Sequence, residues 1–540
     1  WGSPIMSERV DKNSAYLNAK STSGTSTRVR DVSPTSGMCP ICIKECGILC
    51  EISLSAFRGR EALYPDPFQY GKSTAGALKD LYLDWSHFNI LPPLIGAEGI
   101  EADSDKALFP NANIETKVGG ITLKIPVVIG AFGSTDVARL NWDGLAIGGA
   151  ISGIAVIIGE NVAGIDPDTK LQNGKVAYSK ELKRRVDSFR TLWDGKYGDI
   201  VVQTNVEDQR LGVDEYALSR LEVNVIERKW GQGAKAIGGE VRVNTIERAI
   251  LLKKRGYLVI PDPEDKTVQE AFKAGSFESF ERHSRVGMLK EKDFVEGVSL
   301  LRKHGAKHVF LKTGAYRPEA VAFTMKIASE AKIDAVTFDG AGGGTGMSPV
   351  PMMDEMGTPT VFLEAQVLRC TQLLKKKGRY VPDLIMAGGF INETQMFKSI
   401  AMSNFSGAPL VKAVLMARSP LTAVMKSAYF TKLAKEGKLP KLFVDRYTAD
   451  PEKFFIGTAE LKKRFGKDFR KIPWEAVGLY DYLVGRVATG LQQLMAGARK
   501  WRLNLIRRSD LASLTERAAK VTGIPLIEDV ESDAIERILS

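Results

Sequence analysis

The sequence predicts an α/β protein that closes as a (β/α)8 barrel, the TIM-barrel architecture, with an N-terminal cysteine-bearing arm before it and a helical extension after it. Three observations carry that reading. From Pro126 onward, short β-branched runs alternate with amphipathic, charge-rich stretches, as expected of buried parallel strands linked by surface helices. Polar or glycine residues close nearly every run, at the strand end where barrel active sites lie. The chain has 540 residues, 44% hydrophobic and 26% charged, which is the composition of a globular protein too long for one ordinary core.

Residues 1–37 are rich in Ser, Thr, Lys and Asp and read as a flexible arm, in which Trp1 to Ile5 ahead of Met6 look like a cloning remnant. No secretory leader is recognised, so a cytoplasmic location is expected. Residues 38–115 form a lead-in that opens on Cys39, Cys42, Cys46 and Cys50, four of the five cysteines in a C-x2-C-x3-C-x3-C series. Disulfides across such small loops are strained and are rare in a cytoplasmic setting, so the thiolates point to metal. An iron–sulfur cluster of the 4Fe-4S kind, with four iron corners, is the first reading and structural zinc the second. Cys370 falls in a predicted helix and reads as a small apolar residue.

The barrel is expected over residues 116–435. Its candidate strands are 127–132, 154–159, 200–205, 223–229, 258–261, 308–313, 335–339, 384–387 and 413–416, nine for eight places, and 258–261 is set aside as an excursion. Residues 436–540 show long helical patterns over 480–501 and 530–539, with Trp474, Tyr480 and Tyr482 as core aromatics.

The strand at 335–339 opens into a run holding Asp339, Gly340, Gly342, Gly343, Gly344, Thr345 and Gly346, where main-chain amides can approach a phosphorylated or flat cofactor. Gly388 and Gly389 follow the seventh strand, and Ala417 and Arg418 the eighth, the places where barrels commonly hold a phosphate. The net charge of +11 is spread along the chain, which favours an anionic substrate or acidic partner over nucleic acid. The longest nearly uncharged stretch, residues 144–159, is short and broken by glycines, so no membrane span is expected.

On these motifs, residues 119–524 resemble the FMN-binding synthase domain of the glutamate synthase large subunit and its stand-alone relatives with an N-terminal four-cysteine motif. The likeness rests on Pro126 to Ser134, on Gly159-Glu160, on the Lys229-x-x-Gln232-Gly-Ala-Lys235 stretch, on Phe310 to Thr313, on the glycine run from Phe338 to Pro349, and on the segment from Tyr480 to Leu511. It implies FMN bound by Ala131, Phe132, Gly133, Ser134, Gln203, Lys312, Asp339, Gly340, Gly342, Gly343, Gly344, Thr345, Gly388, Gly389, Ala417 and Arg418. Lys312 is expected beside the flavin's pyrimidine edge, where a cation about 4 Å away contributes about 4 kcal/mol at an effective dielectric near 20. The resemblance implies a 2-oxo acid bound by Lys229, Gln232 and Lys235, with Lys312, Lys229 and Glu160 catalytic and Glu160 moving a proton or orienting substrate.

The chain also departs from the family. The stretch 416–424 lacks the three cysteines that hold the family's cluster, so Cys39 to Cys50 would supply a replacement electron entry. Asn161-Val162 replaces a glycine pair, and Ala236 to Val243 replaces another substrate-side stretch, in which Arg242 would bind a different carboxylate. The function expected is therefore a glutamate-synthase-like iron–sulfur flavoprotein oxidoreductase acting on CH-NH2 or C=N groups, with FMN hydride reducing an imine formed from a 2-oxo acid and ammonia or an amine. It would lack glutaminase activity of its own. The alternatives are an FMN-dependent amino-acid or N-alkyl amino-acid dehydrogenase that passes electrons outward, and a non-catalytic electron-relay subunit. Expected partners are the small-molecule substrate, ferredoxin or a separate reductase, an ammonia- or amine-supplying subunit and further copies of the chain as a homo-oligomer.

Overall fold

Eight parallel strands close on themselves in chain order: β1 Val127–Phe132, β2 Ala155–Ile158, β3 Ile200–Thr204, β4 Val225–Lys229, β5 His308–Thr313, β6 Ala335–Asp339, β7 Asp383–Ala387 and β8 Val411–Met416. β8 pairs back onto β1 through Val414↔Val127. The computed structural model describes residues 51–58, 82–231, 240–277, 279–341, 356–405 and 407–540. Cys39, Cys42, Cys46, Cys50, Gln232, Lys235, Gly342, Gly343, Gly344 and Thr345 lie outside the described residues, and Arg242 is described in its backbone alone.

Strand side chains alternate between two buried environments, which is why the strands read as continuous apolar runs. Ile129, Val156, Val202 and Val336 face outward onto the helices, whereas Val128, Ala155, Val201 and Ala335 face the barrel axis. A helix follows each strand, among them α1 Lys180–Arg190 after β2, α2 Thr360–Lys376 after β6 and α3 Arg418–Lys435 after β8. The hairpin of Thr116–Val118 and Ile121–Leu123 plugs the amino-terminal mouth, with Val118 and Leu123 buried among the axial residues. Its turn needs glycine at position 120: φ is +94°, and a Cβ would stand 2.0 Å from the His308 ring.

The excursion expected at 258–261 is real. Leu258–Ile260 lies in a separate antiparallel sheet with Glu240–Val243 and Phe280–His283, inserted between β4 and β5.

After α3 the chain is largely helical, with two departures from the expected pattern. The pattern over 480–501 is not a single α-helix. Trp474–Tyr480 passes into a π-helical stretch, Asp481–Ala488, before Thr489–Gly497, and this wider winding accompanies a Tyr482 hydroxyl that donates to the Ile391 carbonyl at 2.5 Å and an Arg486–Glu393 ion pair. Leu511–Ser513 is a strand, paired antiparallel with Phe88–Ile90, and this pairing laces the lead-in to the carboxyl-terminal region. Tyr480 and Tyr482 are core residues, and Trp474 stacks on Phe455 at 5.5 Å. The helix Glu51–Arg58 is anchored by Phe57, whose ring lies 4.7 to 5.6 Å from those of Phe430, Phe443, Phe454 and Phe455. Among the described residues no helix is long and apolar enough to cross a membrane.

Candidate active site

Alternation places a polar layer on the axial face near the carboxyl ends of four adjacent strands. Gln203, Glu227, Lys229, Lys312, Thr337 and Asp339 share inward parity with Val201, Val225, Phe310 and Ala335 of the axial core. The ladders set Gln203 beside Glu227, Lys229 beside Lys312, and Lys312 beside Thr337.

Two ammonium groups on neighbouring strands repel unless acids intervene. Glu160, in the loop after β2, accepts from Lys229 Nζ at 2.6 Å, with only 10% and 12% of the two side chains exposed. Lys312 Nζ lies 3.2 Å from Asp339 Oδ2. Burial would raise the Glu160 carboxyl, but the Lys229 charge and hydrogen bond, helped by Lys312, hold it below its ordinary value. Lys229 moves downward, pushed by burial and by Lys312 against the pull of Glu160. For Lys312, burial opposes the charged form, yet Asp339, Glu227 and Glu160 together leave its pKa raised. Gln203 Nε2 donates to Glu227 Oε1 at 2.6 Å, while Gln203 Oε1 is buried with no hydrogen-bond partner among the described residues.

Asn161 turns the chain after Glu160. It is left-handed at φ +65°, a conformation asparagine tolerates better than most residues, so it can stand where the resembling family has glycine. Its amide donates to both oxygens of the buried Asp208 at 3.1 and 2.9 Å, and its side chain meets Ser284 Oγ and the Tyr257 hydroxyl, each at 3.2 Å. Burial pushes the Asp208 carboxyl up to about 7.

The loop after β1 carries Ala131, Phe132, Gly133 and Ser134. Arg185 of α1, 1% exposed, donates through Nη1 to the carbonyls of Phe132 and Gly133 at 2.9 and 2.8 Å. Arg282 from the inserted sheet is equally buried; its Nη2 reaches Ser134 Oγ at 3.3 Å, its Nη1 reaches Ser284 Oγ at 2.6 Å, and its guanidinium lies 5.1 Å above the Tyr257 ring. Arg282 Nε has no partner among the described residues.

The loops after β6 and β7 meet back to back. Thr360 Oγ1 donates to the Gly388 carbonyl at 2.7 Å, and a Cβ on Gly388, at φ +115°, would stand 2.6 Å from the Gly340 carbonyl oxygen. Gly389 follows at φ +88°, and Ala417 precedes α3 without a side-chain cap, so no side chain of Ala417 accepts from the first amides of that helix. Thus Ala131 to Ser134, Gln203, Lys312, Asp339, Gly340, Gly388, Gly389, Ala417 and Arg418 all sit at the carboxyl-terminal ends of the barrel strands, together with Lys229 and Glu160. The sequence reading missed Glu227, Asp208, Arg185 and Arg282. Inward parity with Lys229 marks Glu227, whereas no local pattern marks Arg282.

Residues 275–424 match the family described as the conserved region in glutamate synthase. The second half of the barrel is similar to glutamate synthase. That match runs through β5 to β8 and includes Lys312, Asp339, Gly388 and Arg418. An archaeal glutamate synthase [NADPH] from Methanocaldococcus jannaschii is 30% identical over 208 residues, spanning 38% of this chain and 36% of that protein's length. Solved structures similar to this chain include an active chimera of (S)-mandelate dehydrogenase, 13% identical over 87% of this chain and 93% of that one with a TM-score of 0.42. Another is the recombinant flavin-binding domain of baker's yeast flavocytochrome b2, 12% identical over 84% and 82% with a TM-score of 0.44.

Proposed function

We propose that this chain is an FMN-dependent oxidoreductase of the glutamate-synthase type that reduces an imine or related small-acid substrate formed from a 2-oxo acid and ammonia or an amine. The observation that carries the reading is the buried layer in which Lys312–Asp339 and Lys229–Glu160 stand side by side at the carboxyl ends of the strands. The donor set fits FMN: Gln203 Oε1 is left to accept, Lys312 offers a cation, and Gly388, Gly389 and the uncapped start of α3 offer main-chain amides to a phosphate. FMN, when bound, supplies two-electron reduction at carbon.

The chain's own residues bind and orient the substrate. Lys229, with 10% of its side chain exposed, and the buried Arg282, which reaches Ser134 of the loop after β1, are cations largely withdrawn from water, and each desolvated carboxylate of a small acid requires such a donor. Glu160 holds the Lys229 ammonium by its hydrogen bond, so a proton on Nζ is aimed by a fixed acceptor. Gln232, Lys235 and Arg242 are proposed to complete the pocket, and Cys39, Cys42, Cys46 and Cys50 to ligate an iron–sulfur cluster that receives electrons from ferredoxin or a separate reductase.

Anaerobic purification followed by an absorption spectrum and counts of FMN, iron and sulfide tests the cofactors. Anaerobic mixing then tests direction: candidate 2-oxo acids with ammonia or methylamine should reoxidise the reduced protein. A protein that is instead bleached from the oxidised form by amino acids is a dehydrogenase, and one that takes up no FMN is neither.

A further inference from the structure

In the polar layer each lysine has its own acid, Lys229 with Glu160 and Lys312 with Asp339, which leaves Glu227 as the remaining carboxylate. Glu227 is wholly buried on the axial face of β4. It is level with Phe310 in the ladder and therefore one inward position below Lys312. The groups that face it are Gln203 from β3, Lys312 from β5, Thr337 from β6 and Lys229 from its own strand, with Asp339 and Glu160 behind the two lysines. Oε1 accepts from Gln203, and Oε2 has no hydrogen bond of good geometry among the described residues, although Thr337 lies beside it.

We propose that Glu227 is the proton store of the redox site, taking one proton from water when the cofactor beside Lys312 gains two electrons and returning it when they leave. This rests on the FMN reading above. The balance is two electrons from a low-potential one-electron carrier, one proton to the isoalloxazine and one to Glu227 Oε2. An O–H bond is the only bond made or broken at Glu227. The physical cause is local charge. Reduction adds negative charge at the edge that Lys312 faces, and an unpaired carboxylate one layer below feels it across a medium of low dielectric. Burial already raises the Glu227 carboxyl against the opposing pull of Lys312, Gln203 and Lys229, so the added charge acts on a group displaced in the required direction. The role is one of charge balance, because Glu227 lies beneath the residues that line the mouth.

The test is the midpoint potential of FMN-loaded protein against pH, by anaerobic dithionite titration with mediator dyes, in the native chain and in Glu227→Gln. One proton per electron pair gives a slope of about 30 mV per pH unit, and two protons give about 59 mV, since a tenfold change in a two-electron equilibrium is 29.6 mV. The native protein should steepen toward the larger slope over at least one pH unit, and Glu227→Gln should keep the smaller one throughout. Should that variant fail to fold, the reduced-minus-oxidised infrared spectrum of the native protein decides: a protonated-carboxyl band appearing on reduction supports the proposal. Overlapping slopes in the two proteins, or a native slope near 30 mV at every pH without such a band, overturn it while leaving the FMN reading intact. Failure of the native chain to take up FMN removes both.

Discussion

Replacing Lys229 with Met probes the ion pair that Lys229 makes with Glu160 in the polar layer. At 2.6 Å and an effective dielectric near 20, the attraction between Lys229 and Glu160 is about 6 kcal/mol, and Lys312 offsets part of its loss by remaining close to Glu160. Removing one partner of a buried pair costs about 3–5 kcal/mol, because the survivor stays desolvated. The loss is pH-dependent, with a definite sign. In the native chain the depressed Glu160 carboxyl contributes stability that is present above the ordinary carboxylate range and lost as pH falls through its folded value. In Lys229→Met, burial acts against a weaker opposition and the carboxyl moves up, so the penalty is largest near pH 8 and shrinks toward pH 5 as Glu160 protonates. Urea unfolding followed by tryptophan fluorescence should show the midpoint gap between native and variant narrowing on acidification. The double variant Lys229→Met/Glu160→Gln should recover most of the loss. A double variant no more stable than Lys229→Met, or a midpoint gap that ignores pH, would refute the assignment of this pair as a buried, mutually dependent ion pair.

Lys312→Met should lower the potential of bound FMN by on the order of 90 mV, the equivalent of about 4 kcal/mol for a two-electron couple, measured by reductive titration. Arg185→Ala strips two buried carbonyls, those of Phe132 and Gly133, of a charged donor, and should cost about 2–4 kcal/mol together with a fall in FMN affinity by fluorescence titration. Asp208, with its folded carboxyl raised to about 7, contributes stability that is full below the ordinary carboxylate range and lost as pH rises through 7; the span is about 4 kcal/mol, so Asp208→Asn should flatten the pH dependence of the thermal midpoint between pH 5 and 8. Asn161→Ala should destabilise more than Asn161→Gly, by about 1 kcal/mol in urea, since both lose the Tyr257 and Ser284 bonds but only alanine meets the left-handed penalty.

The barrel was legible because parallel strands buried on both faces are written as unbroken β-branched runs, as in Ala155–Ile158 and Ile200–Thr204. The excursion at Leu258–Ile260 was separable as a ninth run in an eight-place series, and its exposed, alternating burial agrees with an antiparallel sheet beside the barrel. The winding of Asp481–Ala488 was not legible. Helical periodicity registers a stripe of apolar residues, and a π-helical turn changes the stripe too little to be seen against the noise of one sequence. The pairing of Leu511–Ser513 with Phe88–Ile90 was equally hidden, since three residues carry no period and their partners lie more than four hundred positions away.

Local order in the chain determined which residues could take part in the site: strand alternation set the parity of Lys229, Lys312 and Asp339, and glycine at 340 and 388 declared where backbone must approach closely. Tertiary structure decided how those residues are charged. Whether a buried lysine is held by an acid depends on distances across strands and between loops, as between Lys229 and Glu160, sixty-nine residues apart, and the inserted sheet brings Arg282 to Ser134 across a hundred and forty-eight. Coulomb energy follows separation in space and the exclusion of water, neither of which is a property of neighbours along the chain.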